Sequence, residues 1–240
     1  DTVLASGTLA DGSTRIEFDS TELEVGDNAL TVRHTAGDVV SSAPVVVTVE
    51  KAPATLTATV NNTRPAVGAN QVVATATVTA DGFVPTGFVV AYVDGNLAGA
   101  GELEDGSARI NLGTFGTLGV KEIELLYVGN GTTDQASGVT RVTVVKAKTT
   151  TRVRITPSTV RADKTTPTAT VRVSSWRQKV NGKVTVRIGG FSETVWLKNG
   201  RATVKLPKIS RPGRRLVVAD YLGAAKFEPS GGSAQFTVRK

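Results

Sequence analysis

The stretch GELEDGSARI, residues 101–110, decides the fold of this chain because it recurs at a fixed interval. It consists of a short apolar run, an Asp-Gly pair and a second apolar run. Related stretches occupy residues 7–16 and 195–204, and their turn glycines, Gly12, Gly106 and Gly200, follow one another at intervals of 94 residues. Asp-Gly or Asn-Gly between alternating runs predicts a type I′ β-hairpin, because both central residues of that turn need a positive φ. Residues 101–110 are therefore predicted to form one hairpin of a repeated β-module.

The composition indicates an all-β chain with packed cores. Of 240 residues, 40% are hydrophobic and 20% are charged, which is enough apolar material for globular modules. The β-branched residues Val and Thr favour strands, while 25 glycines and 9 prolines supply turns. No apolar run approaches the roughly 18 residues that span a bilayer. The absence of cysteine excludes disulfides and thiolate metal sites. We predict tandem immunoglobulin-like antiparallel β-sandwiches.

The 94-residue interval divides the chain into three modules. Residues 1–51 are predicted to be the second half of a module (module one), residues 52–146 a complete module (module two) and residues 147–240 a complete basic module (module three). Module one lacks the strands that should precede it, so an apolar face would lie in water at a cost of about 25 cal/mol per Å². We therefore expect that module one does not fold alone, and that an upstream segment or strands of another protein complete it.

Alternation of apolar and polar residues between turns predicts the strands. Four are predicted in module one, at residues 3–9, 14–18, 29–34 and 45–50. Module two is predicted to have seven, at 55–60, 72–78, 88–93, 97–103, 109–112, 122–128 and 139–145. The same plan in module three predicts strands at 151–155, 168–173, 182–188, 193–197, 202–206, 215–221 and 233–239.

A series of turns in module two resembles a known family. The series is Pro85-Thr86-Gly87, Asp94-Gly95, Asp105-Gly106-Ser107, Leu118-Gly119 and Tyr127-Val128-Gly129, and module three repeats most of it. It resembles the bacterial immunoglobulin-like repeat, which occurs in tandem in surface and secreted proteins. The resemblance covers the whole chain and implies a β-sandwich fold and an extracellular or cell-surface location. Module one has His34-Thr35-Ala36 where the Tyr-x-Gly should stand, so a differently built corner is expected there.

The charge of the chain is unevenly distributed between its modules. Module three holds 20 Lys and Arg against 4 Asp and Glu, a formal charge of +16, whereas residues 1–146 hold 8 against 17, a charge of −9. A surface that serves only solubility mixes both signs, so this imbalance predicts contact with a polyanion. Teichoic acid, acidic polysaccharide, anionic lipid or nucleic acid would each fit. The predicted contact residues are those of the densest cluster and the strand before it, namely Arg201, Lys205, Lys208, Arg211, Arg214 and Arg215.

Strand alternation also predicts which basic side chains point away from the core. Arg201, Thr203 and Lys205 share one face of a predicted strand. Arg152 and Arg154 share one face of another, and Arg172 is expected to point outward. Trp196 alternates in register with Thr194 and Lys198, which favours an outward position, where the ring could contact a sugar or base.

The remaining candidate sites are better explained as structural. His34 is the only histidine, and no nucleophile or carboxylate near it in the sequence suggests catalysis. One histidine without cysteine leaves no ordinary zinc site. The acidic turn residues of module two lack the twelve-residue calcium loop and are better explained as turn formers. Lysines at strand ends are better explained as strand termination than as isopeptide partners. The acidic turn residues are Asp81, Asp94, Glu104, Asp105 and Asp134, and the strand-end lysines are Lys51, Lys146 and Lys240.

Three functional hypotheses follow from these patterns. The preferred one is a non-catalytic C-terminal stalk of a bacterial surface protein, with module three tethered to anionic polymers of the envelope. No catalytic residue, metal, cofactor, specific nucleic acid or membrane span is expected. A second hypothesis is an appendage that delivers a secreted hydrolase to an anionic substrate. A third is a subunit of a surface assembly, in which strands of another chain complete module one.

Overall fold

The computed structural model describes residues 2–240, which contain seventeen strands, the first beginning at Gly26, and one short 3₁₀ helix at Ser20–Glu22. No helix in this part of the chain is long and apolar enough to cross a membrane. The strands are β1 (Gly26–Ala36), β2 (Val39–Val49), β3 (Ala54–Val60), β4 (Val72–Ala80), β5 (Phe88–Val93), β6 (Asn96–Glu102), β7 (Ser107–Gly113), β8 (Gly119–Tyr127), β9 (Ala136–Val144), β10 (Thr150–Thr156), β11 (Thr159–Arg161), β12 (Thr168–Ser174), β13 (Lys183–Ile188), β14 (Phe191–Trp196), β15 (Arg201–Lys205), β16 (Gly213–Tyr221) and β17 (Ser230–Arg239).

Module two is an immunoglobulin-like sandwich of two antiparallel sheets. One sheet has the order β3-β4-β7 and the other β6-β5-β8-β9. Alternate residues of β4, from Val72 to Val78, are buried, and they pack with buried residues of β5 and β8 such as Val89 and Leu125. Each predicted strand of this module overlaps an observed one.

Module three repeats the plan, with sheets β10-β12-β15 and β11-β17-β16-β13-β14. Its core is built by the same alternation, with Ala169 and Val171 of β12 and Val217 and Ala219 of β16 fully buried. β11 was not predicted from the sequence. It has only three residues and pairs in parallel with β17, far along the chain, so no local alternation marks it. The module boundaries themselves stay a prediction.

The repeated hairpin turn has a packing role as well as a conformational one. Asp105 and Gly106 have φ of 48° and 73°, and Asn199 and Gly200 have 51° and 72°, as a type I′ turn requires. A Cβ on Gly200 would lie 2.5 Å from the carbonyl oxygen of Val173, and Val173 donates its amide to the Gly200 oxygen at 2.8 Å. The turn therefore holds the end of β12 against the start of β15, and it is structural rather than catalytic.

Buried tyrosines hold one corner of each complete module. Tyr127 donates its hydroxyl to the Thr86 carbonyl at 2.9 Å, and Tyr221 donates to the Asn181 carbonyl at 2.5 Å. Both side chains are almost inaccessible to solvent, and burial raises the pKa of Tyr221. In module one His34 is exposed on β1 opposite Ser41, so it does not form this buried corner, in line with the difference expected there.

The structure of module one corrects two strand predictions. β1 and β2 form a hairpin with no third strand, and no residue between 2 and 51 is buried. The predicted strands at 3–9 and 14–18 are wrong. Residues 10–13 form only an isolated bridge around the Asp11-Gly12 turn. In modules two and three the corresponding segments pair with strands that have no counterpart here, and a strand without a neighbour leaves its backbone groups unpaired.

Specific contacts join modules two and three. Gln178 donates its side-chain amide to the Val67 carbonyl at 2.8 Å. Ala147, in the connection between the modules, is buried, and its backbone exchanges hydrogen bonds with Lys226 and Glu228. These contacts place the turn at residues 175–178 against module two.

Candidate anion-binding surface

The outer face of the three-stranded sheet β10-β12-β15 presents five cations. In each strand the residues that alternate with them are buried or half-buried against the core, which directs the basic side chains to solvent. These five are Arg152, Arg154, Arg172, Arg201 and Lys205, and all of them are exposed. We call this surface the basic face.

The strand register places three of these arginines side by side. Arg152 lies opposite Arg172 in the pairing of β10 with β12, and Arg172 lies opposite Arg201 in the pairing of β12 with β15. Neighbouring strands lie about 4.8 Å apart, so Arg152, Arg172 and Arg201 form a line about 10 Å long across the sheet. We call this line the arginine row. Like charges directly opposite each other destabilise a sheet, so the row costs the fold stability.

The rest of the basic face consists of hydroxyl groups. The next line along the strands is Arg154, Thr170 and Thr203, and the one after it is Thr156, Thr168 and Lys205. On the other side of the arginine row, Thr150 lies opposite Ser174. The face therefore contains donors and no carboxylate.

None of the five cations has an ion-pair partner within residues 2–240. In module three the structure contains one ion pair, between Arg187 and Asp220 on the other sheet. The other acidic residues of this module, Asp163, Glu193 and Glu228, lie in turns or on the edge strand β14, and none of them forms an ion pair with the basic face. The positive charge of the face is therefore uncompensated by its surroundings.

A shallow groove of about 350 Å³ adjoins the arginine row at Arg172. Its wall continues through Ser174 into the turn that follows β12, where Arg177 and Lys179 add two further cations. The opposite wall is the Asn199-Gly200 turn that leads into β15. The groove lining contains no acidic residue, so it extends the positive surface beyond the sheet.

The corresponding sheet face of module two, formed by β3, β4 and β7, lacks the arginine row. Its register places Thr57 opposite Thr77 and Thr77 opposite Ser107, at the positions that the arginine row occupies in module three. Arg109 is the single cation on the outer face of β3, β4 and β7. The fold therefore needs no arginine in this row.

The structure separates the six predicted contact residues. Arg201 and Lys205 lie on the basic face, whereas Lys208 and Arg211 lie in the connection between β15 and β16. Arg214 points outward from the other sheet. Arg215 is half-buried with its side chain on the core side, and its Nη2 donates to the Arg211 carbonyl at 2.7 Å. Its Nε is buried without a hydrogen-bond partner.

Sequence reasoning did not assign Arg152, Arg154 and Arg172 to the site, although alternation predicted that they point outward. The missing information was the register, because residues opposite each other on β10, β12 and β15 are far apart in the chain. The prediction from sequence favoured residues 208–215 instead, because basic residues are most closely spaced there along the chain.

Both tryptophans are exposed but lie outside the basic face. Trp196, with 66% of its surface exposed, is on β14 of the other sheet, and the Lys183 ammonium stands 4.9 Å from its ring centroid. The Lys183 ammonium therefore covers part of the exposed ring of Trp196 in a cation–π contact. Trp176, 71% exposed, is in the turn at the junction with module two. The basic face therefore offers no aromatic surface for stacking.

The acidic turns of module two do not converge on a common point. Within residues 2–240 no three His, Asp or Glu side chains form a group that could hold a metal ion. Asp94 instead accepts hydrogen bonds from the Lys121 ammonium at 2.7 Å and the Glu122 amide at 3.0 Å, which hold the pKa of Asp94 below its usual value. Lys51 donates to the Asn130 carbonyl at 2.8 Å.

No protein-family model matches this chain, and no curated protein matches it. Among solved structures it is similar to a 1.5-MDa bacterial ice-binding adhesin, with 15% identity over 87% of this chain and 73% of that one and a TM-score of 0.33. It is similar to the D0-D1 domain of intimin, with 22% identity over 75% and 97% and a TM-score of 0.27. It is also similar to a segment of two fibronectin type III domains from chicken tenascin, with 14% identity over 75% and 97% and a TM-score of 0.42. All three TM-scores lie below 0.5, so the functional assignment rests on this chain's own residues.

Proposed function

We propose that this chain is a non-catalytic, tandem immunoglobulin-like part of a bacterial extracellular or cell-surface protein, of the bacterial immunoglobulin-like repeat type. In this proposal module three contacts an anionic polymer of the cell envelope, and modules one and two act as a spacer. The observation that carries the proposal is the basic face, where five exposed cations have no carboxylate beside them and no ion-pair partner in the described part of the chain, residues 2–240.

The energetics favour a binding role over a purely solubilising one. Uncompensated cations on adjacent strands repel each other, and module two shows that threonine and serine occupy the same positions within this fold. A polyanion removes this repulsion and releases its condensed counterions on binding, so a surface of this kind gains affinity as salt falls.

Heparin chromatography of the whole chain tests the proposal. The wild-type chain should be retained at 50 mM NaCl, and the triple variant Arg154→Thr, Arg172→Thr, Lys205→Thr should elute at markedly lower salt. A control with the same change in charge, Arg33→Ser, Arg64→Ser, Arg109→Ser, removes cations of modules one and two and should elute later than the first variant. Passage of the wild-type chain through the column at 50 mM NaCl, or equal shifts for both variants, would refute the proposal.

A second role is supported by module one. Its hairpin has no third strand, and Val32 and Val46 remain 50% and 64% exposed. We propose that further strands, from the same protein or another chain, complete this half-sandwich. Hydrogen exchange of the isolated chain tests it: amides of β1 and β2 should exchange much faster than those of β8 and β9, and equal protection would contradict it.

A further inference from the structure

We propose that the arginine row and the groove beside it form a docking surface for a linear polymer of phosphate groups, which lies across strands β10, β12 and β15. This inference rests on the proposed polyanion contact and adds to it the position of the contact and the chemical class of the ligand. It assigns binding to Arg152 and Arg172 as well as Arg201, and it removes Lys208, Arg211 and Arg214 from the site.

The direction of the polymer follows from the register. Arg152, Arg172 and Arg201 face solvent at successive strand positions, one guanidinium for each interstrand spacing of about 4.8 Å. A chain that crosses the strands meets a cation at every step. Along a single strand, only β10 has cations at consecutive outward positions, Arg152 and Arg154, whereas β12 has one cation and Thr203 separates Arg201 from Lys205 on β15. The row therefore favours a polymer that carries at least one negative charge about every 5 Å.

The residue type indicates the kind of anion. Each guanidinium presents five donors in a planar fork, and the side chains of the row are all arginine. A single guanidinium can donate hydrogen bonds to both oxygens of a carboxylate, because the two groups are planar and can lie in one plane. A tetrahedral phosphate group presents oxygens in more than one direction, so it can accept from two adjacent forks at once. Arg172, with an arginine on each side, is placed to share phosphates with both neighbours.

The surroundings of the row fit a phosphate chain better than a nucleic acid. Thr150, Ser174, Thr170 and Thr203 flank the row with hydroxyl donors and supply no aromatic ring. Single-stranded nucleic acids are held largely by stacking of bases on aromatic side chains. Trp196 lies on the other sheet, and Trp176, although exposed in the turn beside the groove, is not among the residues that line it. The basic face therefore presents positive charge and hydroxyl donors, and it has no ring on which a base could stack.

The groove gives the polymer a path beyond the sheet. It begins at Arg172 and passes Ser174, Arg177 and Lys179, with the Asn199-Gly200 turn as its other wall. A chain that reaches Arg172 along the row can turn into this groove and meet two more cations without passing a carboxylate.

Binding of fluorescently labelled long-chain polyphosphate to the whole chain tests the inference. The row variant, Arg152→Thr, Arg172→Thr, Arg201→Ser, reproduces the residues that module two carries at these positions. The control variant, Lys208→Thr, Arg211→Thr, Arg214→Thr, has the same net charge and removes the cluster that stands out in the sequence. We expect the row variant to lose roughly tenfold or more in affinity at 50 mM NaCl. A plot of the logarithm of the binding constant against the logarithm of the salt concentration should also become less steep by about 2 units, because each lost phosphate contact lowers the slope by about 0.7. The control should lose little of either.

The outcomes separate the two proposals. If the wild-type chain binds neither polyphosphate nor heparin, the proposed function fails and the inference with it. If the wild-type chain binds but the row and control variants weaken equally, the polyanion contact stands and the arginine row is overturned. Polygalacturonate and oligo(dT) test the ligand class in the same assay. Tighter binding of polyphosphate supports the inference, and equal or tighter binding of the carboxylate polymer or the oligonucleotide overturns the assignment to phosphate.

Discussion

Replacement of the central arginine of the row should stabilise module three. Arg172 lies directly opposite Arg152 on one side and Arg201 on the other, so Arg172→Thr removes two like-charge pairs at once. Cross-strand charge pairs are worth about 0.2–1 kcal/mol each. Coulomb's law gives about 0.7 kcal/mol for two unit charges about 6 Å apart in water, which agrees with that range. Threonine also suits a strand, so we expect a gain of about 1 kcal/mol in the free energy of unfolding.

Urea denaturation followed by tryptophan fluorescence measures this gain. The two tryptophans of the chain, Trp176 and Trp196, are both in module three, so the signal reports that module alone. With a urea m-value of about 2 kcal/mol/M, 1 kcal/mol moves the midpoint by about 0.5 M. The buffer must contain no phosphate, because phosphate would occupy the row and mask the repulsion.

Salt and a matched variant provide the controls. The Debye length falls from about 10 Å at 0.1 M salt to about 3 Å at 1 M, so the difference between Arg172→Thr and wild type should shrink in 1 M NaCl. Arg187→Thr breaks the exposed ion pair with Asp220 in the same module and should lower stability by up to about 1 kcal/mol. A loss of stability in Arg172→Thr, or a gain of equal size at both salt concentrations, would refute the reasoning.

Two further predictions concern the frame that positions the face. Burial raises the pKa of Tyr221, so as pH rises the Tyr221 hydroxyl ionises in the unfolded chain before it ionises in the folded one. Module three should therefore lose stability as pH rises from about 10 through the folded pKa of Tyr221. Tyr221→Phe should weaken that pH dependence, and it should also cost about 1 kcal/mol because the hydrogen bond to the Asn181 carbonyl is lost. Urea midpoints between pH 8 and 11 check this, and equal pH slopes for the two chains would contradict it. Gly200→Ala should cost about 1–3 kcal/mol, because a Cβ there combines a positive φ with a clash against Val173, whereas Gly190→Ala meets open space and should change stability by less than about 0.5 kcal/mol. Similar midpoints for these two variants would count against the packing role of the turn.

The sequence predicts local structure wherever local rules govern it. The Asp105-Gly106 and Asn199-Gly200 pairs identify their turns because few residue pairs tolerate a positive φ at both positions. Apart from β11, the strands of modules two and three follow from alternation, since most of them have one face against a core. β11 is invisible to the same rule because three residues are too few to show a period and its partner, β17, is distant in the chain.

The two wrong strand predictions arise because strand formation depends on partners remote in the sequence. Residues 3–9 and 14–18 have strand-like alternation, but no neighbouring strand is present to pair with them. The basic face was found only in part for a related reason. Alternation directed Arg172 outward, yet only the register shows that Arg152 and Arg201 stand beside it. Arg215, in the densest basic cluster, lies partly on the core side of its strand, which a count of charges along the chain does not reveal.

Transfer of the arginine row between modules tests the central claim most directly. Thr57→Arg, Thr77→Arg and Ser107→Arg place three guanidinium groups in one row of module two, on a face that contains no acidic residue. These changes are made in the chain whose own row is already replaced by Arg152→Thr, Arg172→Thr and Arg201→Ser. Polyphosphate affinity and the salt slope are then measured between 50 and 200 mM NaCl. We predict that most of the lost slope of about 2 units returns. A chain that regains its net charge without regaining this slope would contradict the claim that the row is the binding surface.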